Sequence, residues 1–71
     1  MKKDLKELEG TKMRLYKLLC EELAGGDKWL DYDKLAERLS ISRPAVTYNV
    51  RRLKEMGYVG SRGGKLYLPS G

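Results

Sequence analysis

Five residues near the middle of the chain, Ser40-Ile41-Ser42-Arg43-Pro44, join two amphipathic patterns and leave almost no room between them. Before them Leu35, Ala36 and Leu39 give a short helix with one apolar side, ending at Ser40. After them Val46, Val50 and Leu53 fall within a narrow arc at about 100° per residue, which predicts a second helix over about 43–56. Both helices carry their own start signals. Asp31 is positioned to cap the first, and Asp33 suits the positive end of its dipole. Ser42 is positioned to cap the second, and Pro44 falls in a first turn whose amides have no helical partner. Ile41, between two serines, reads as an apolar peg in a tight turn. Two helices held so closely must turn their apolar sides into one shared core, and the rest of the chain must close around that corner.

What remains supplies the closure. Met1 to Glu9 is charged, with Leu5 and Leu8 at helical spacing, and reads as a lead-in or short helix over 1–10. Thr11 is expected to cap a further helix in which Leu15, Leu19 and Leu23, flanked by Tyr16 and Cys20, form one broad stripe. Gly25-Gly26 stops it. Trp29-Leu30 is too short for a helix and reads as a brief extended segment, with Trp29 and Tyr16 assigned to the core as bulky apolar side chains. Gly57 ends the 43–56 helix. The tail from Tyr58 to Leu68 reads as a hairpin, because Gly63-Gly64 can take the positive φ angles of a two-residue turn. That register sets Arg62 opposite Lys65, Ser61 opposite Leu66 and Val59 opposite Leu68, with Val59, Leu66 and Leu68 facing the helices. Helix, short strand, helix, tight turn, helix, hairpin is the order of a winged helix-turn-helix. The expected fold is therefore α+β, a three-helix core with a C-terminal two-stranded wing, over 11–69.

Composition narrows what such a unit can do. Seventy-one residues make one domain with a small core. The sequence has no histidine and one cysteine, Cys20, so a disulfide framework or a zinc site within one chain is excluded, and Cys20 reads as a packed thiol. No cofactor and no small-molecule ligand is suggested. No apolar run approaches the roughly 20 residues of a membrane span, and the lysine-rich start lacks a hydrophobic signal core, so a soluble cytoplasmic protein is expected. The net charge of +5 is unevenly placed. Residues 1–37 hold 8 Lys+Arg against 9 Asp+Glu, whereas 38–71 hold 7 against Glu55 alone. A basic second half points to a polyanionic partner. Catalysis is not expected: Glu21 and Glu22 are neighbours and point apart on a helix, and Gly63-Gly64 lies in a hairpin rather than before a helix, where a phosphate loop would sit.

Residues from about Thr11 to Pro69 resemble a bacterial or archaeal winged-helix DNA-binding domain. The run "LDYDKLAERLSISRPAVTYNVRRLKEMGYV" is similar to regulators of the multiple-antibiotic-resistance type, and "GGKLYLP" is similar to the wing of the amino-terminal domain of biotin repressors. The resemblance implies that the 43–56 helix enters the major groove of double-stranded DNA, with the wing on the flanking backbone or minor groove. It implies base contacts for Pro44, Ala45, Thr47, Tyr48 and Arg51, phosphate contacts for Ser42, Arg43 and Arg52, and wing-tip contacts for Arg62 and Lys65. Pro44 and Tyr48 stand where small or basic residues are common in the family.

The residues themselves support part of this. Arg51 lies near the centre of the face opposite Val46, Val50 and Leu53, where its fork matches guanine O6 and N7. Arg52, about 100° away, is better placed for phosphate. Asn49 flanks the apolar side and is expected to bond locally. The expected function is sequence-specific duplex binding by a small transcriptional regulator, such as a stand-alone prokaryotic repressor, with replication or recombination accessory roles using the same domain left open. The alternative is a winged-helix protein-interaction module in a larger assembly, a use in which the basic face is often lost. A weak homodimer, or a monomer that pairs on DNA, is expected, with residues 1–9 and Leu18 on the outer side of the first helix left over for an interface.

Overall fold

The computed structural model describes residues 10–69; Leu5 and Leu8 therefore lie outside the described residues. Three helices are followed by a hairpin: α1 Thr11–Glu22, α2 Tyr32–Leu39, α3 Arg43–Glu55, β1 Gly60–Arg62 and β2 Lys65–Tyr67. One additional bridge pairs Lys28, in the α1–α2 connection, with Leu66 of β2.

The helices start and stop for identifiable reasons. The Asp31 side chain accepts the Asp33 amide at 2.9 Å and opens α2, and Ser42 Oγ accepts the Ala45 amide at 3.2 Å and opens α3. At the end of α2 the Ser40 backbone is left-handed, with φ 57°, while the Ile41 amide donates to the Ala36 carbonyl at 3.0 Å. The same geometry ends α3: Gly57 has φ 85°, the Tyr58 amide donates to Leu53 at 2.9 Å, and the Gly57 amide donates to Lys54 at 3.1 Å. α1 differs from expectation. Gly10, at φ 63°, is its N-cap, and its carbonyl accepts the Arg14 amide at 3.1 Å. Thr11 already has helical geometry and its side chain makes no capping bond.

Core residues come from all three helices, from β2 and from Val59 just before β1. Leu15, Leu19, Val46, Val50 and Leu53 are the most deeply enclosed, closed on one side by Leu35 and Leu39 of α2 and on the other by Val59 and Leu66. Leu18 is also buried, at 7 % exposure, so it is core rather than an outer residue available for dimerisation. The stripe of α1 is wide enough to take Leu18 in beside Leu15 and Leu19, because both α2 and α3 pack against that helix. Arg14, also on α1, donates to the Leu39 carbonyl at 3.3 Å and satisfies a group at the C-terminal end of α2. Tyr16 is half-buried and meets Tyr58 edge-on at 5.2 Å between ring centroids.

The hairpin has the expected register, Arg62 opposite Lys65 and Ser61 opposite Leu66, with Gly60 opposite Tyr67. Val59 and Leu68 fall just beyond the ladder, yet Val59 and Leu66 are buried and Leu68 packs partly against the core. Gly63 and Gly64 have φ 58° and 87°, as a two-residue turn matching the strand twist requires.

Trp29 corrects the reading of the connection, since it is 66 % exposed rather than core. Lys28 bonds Leu66 in both directions, its amide donating at 3.1 Å and its carbonyl accepting at 3.0 Å. Side chains alternate along such an extended segment, and Leu30 packs partly against the core. Trp29, one residue earlier, is turned outward.

Candidate nucleic-acid interface

With Val46, Asn49, Val50 and Leu53 committed to the core, the geometry of α3 leaves one outward row, Pro44, Tyr48, Arg51 and Glu55, all exposed. Tyr48 is 57 % exposed, too open for a packing residue. Arg51 has no hydrogen-bond or ion-pair partner among the described residues, so its guanidinium is free to project from the centre of the row. Asn49 Nδ2 donates to the Ala45 carbonyl at 2.7 Å, the local bond expected of it, and thereby satisfies a polar group on the buried side.

The flanks are less free than the sequence implied. Arg43 Nε stands 3.7 Å from Asp33 Oδ1, linking the start of α3 to the start of α2. Arg52 Nη1 donates to Glu55 Oε1 at 2.8 Å, so a carboxylate of the same helix partly neutralises it. Both pairs are solvated and worth little in stability, so a stronger anion can displace either carboxylate. Thr47 is exposed, Ala45 is half-buried, and the Ser42 oxygen is occupied in capping while its hydroxyl proton remains available to donate.

Two features of this face escaped the sequence. Lys12 of α1 lies with Nζ 5.9 Å from the Tyr48 ring centroid, bringing an ammonium to the edge of the row. Only the packing angle of α1 on α3 produces that approach, and no spacing in the sequence encodes it. In the wing, the Arg62 guanidinium lies 4.9 Å over the Tyr67 ring, which also covers Gly60. Arg62 and Lys65 are both exposed and directly opposed.

No imidazole exists to titrate on this surface. Burial, and then a hydrogen bond with Cys20, raises the Tyr16 phenol above its ordinary value, and burial raises Tyr32 likewise. Among the described residues, no three His, Cys, Asp or Glu side chains gather where they could hold a metal, and no helix is long and apolar enough to cross a membrane.

A tight corner between α2 and α3, a third helix behind them and a two-stranded hairpin define a winged helix-turn-helix. Residues 30–59, from the connection through α3 to the start of the wing, match the family model of winged helix-turn-helix DNA-binding domains. Neither a curated protein nor a solved structure matches the chain.

Proposed function

We propose that the chain binds double-stranded DNA with sequence preference and acts as a small transcriptional regulator. In this reading 11–69 is the binding unit and 1–10 a lead-in. α3 lies in the major groove, with Arg51 on a guanine edge and Tyr48, Thr47, Pro44 and Ala45 along neighbouring bases. Ser42, Arg43 and Arg52 meet phosphates, and Arg62 and Lys65 extend that contact to the flanking backbone. The observation that carries the reading is the outward row of α3, where Arg51 stands unpaired among the described residues while the apolar side of the same helix is wholly committed to the core. A helix face needed for packing would not be left so.

The test is a gel shift on random-sequence duplex across a salt series. Binding with a steep inverse dependence on salt is expected, because each phosphate contact adds about −0.9 to the slope of log affinity against log salt. Absent binding, or a flat salt response, would favour a protein-interaction module instead. Operators for such folds are commonly two-fold, so a weak homodimer or pairing on the DNA is part of the reading. Leu18, being buried, contributes nothing to it. Sedimentation showing a strict monomer both free and on its selected site would remove this component.

A further inference from the structure

Trp29 is the largest side chain that the fold leaves outside its core, and it is the only tryptophan in the sequence. Its position is nevertheless fixed. The two backbone bonds between Lys28 and Leu66 anchor its root to β2, and the six-membered part of the indole lies directly on Gly64 of the wing turn. A side chain at Gly64 would overlap that ring, so the glycine answers both to a φ of 87° and to the indole. The ring is thus braced on the turn that separates Arg62 from Lys65. Trp29 also lines a cleft with Lys28, Lys34 and Arg38. The carboxylates there are already engaged: Glu22 pairs with Lys28 at 3.4 Å and Arg38 at 3.3 Å, and Asp31 caps α2. Lys34 has no partner among the described residues.

An exposed aromatic face set among cations does not suit an apolar protein partner, which would have to desolvate those ammonium groups. It suits a polymer that alternates phosphates with apolar sugar edges. We infer that Trp29 is part of the DNA contact, resting against the deoxyribose edge of the strand whose phosphates Arg62 and Lys65 meet. The inference rests on the duplex-binding reading and extends its surface from the wing to the α1–α2 connection. It also explains why an indole is held in water beside a glycine turn while its neighbour Leu30 packs against the core.

Because Trp29 is the single tryptophan, fluorescence reports it alone. Acrylamide quenching of the unaltered protein is measured while fluorescein-labelled random-sequence duplex is added, with the label's anisotropy recording binding. Quenching should fall as duplex is added and level off at the same DNA concentration as the anisotropy. Trp29→Gln, checked for folding by circular dichroism, should weaken binding about fivefold to tenfold by loss of apolar contact. Its salt slope should be unchanged, since the indole displaces no counterion. If anisotropy rises while acrylamide access stays constant, the indole only braces the wing: the inference fails and duplex binding stands. Protection that appears without DNA and grows with protein concentration assigns the indole to a contact between copies and also overturns it. If anisotropy never rises, the duplex-binding reading itself has failed.

Discussion

Arg51 and Arg52 are adjacent in sequence and differ in almost everything else. Arg51 lies mid-row without a partner among the described residues, whereas Arg52 lies on the flank and is held 2.8 Å from Glu55. Replacement of Arg51 by Ala should cost about 1–3 kcal/mol of discrimination at one or two base positions, because a bidentate guanine contact is lost. Replacement of Arg52 by Ala should weaken every duplex nearly equally and by less, since a phosphate contact carries no sequence information. Competition binding on matched and mismatched sites separates the two. The angular difference between these arginines is legible in the sequence, because it follows from helical periodicity once Val46, Val50 and Leu53 are assigned to the core. The Arg52–Glu55 pair was also within reach of that reasoning, three residues apart on an exposed side. Lys12 beside Tyr48 was not, because it depends on how two helices pack.

At the scale of elements, the corner between α2 and α3 is the best-specified part of the chain. Asp31, Ser42 and Gly57 each act at the helix end where local chemistry puts them, and the turn glycines set the hairpin register. Ser40 is the exception, a non-glycine residue at φ 57° in the helix-ending turn. Ser40→Gly should raise stability by on the order of 0.5 kcal/mol, the relief of a left-handed Cβ less the entropy glycine adds to the unfolded chain. A shift in the midpoint of urea unfolding measures it. The wing gives a second test. Arg62 and Lys65 oppose each other in the ladder, and such like charges repel unless an anion lies between them. Replacing both with Gln keeps the glycine turn and should make the salt slope shallower by roughly 1 to 2 units, with base preference unchanged. An unchanged slope in a folded variant would confine DNA contact to α3 and its surroundings. The connection around Trp29 was the least legible element. Two apolar residues in a row do not reveal which is turned inward, and the deciding bonds come from Leu66, distant in sequence.

For the whole molecule, a small core and a charged surface have separate pH responses. The raised phenols of Tyr16 and Tyr32 mean that the folded state keeps their protons more tightly than the unfolded chain does. The stability this contributes is fully present below the ordinary phenol value of 10.0 and is lost as pH rises through the folded values. Urea midpoints should therefore fall from about pH 9 to about pH 11, and Tyr32→Phe should flatten part of that fall. On the proposed function, the outward row of α3, together with the wing, is the surface that meets DNA. The most direct measurement is an amide chemical-shift map of the labelled protein during titration with its selected duplex. The largest changes should fall on Ser42 to Glu55 and on Ser61 to Lys65, with Lys17, Glu21 and Glu37 little affected. Changes confined to those last three residues, with the α3 amides unmoved at saturation, would contradict it.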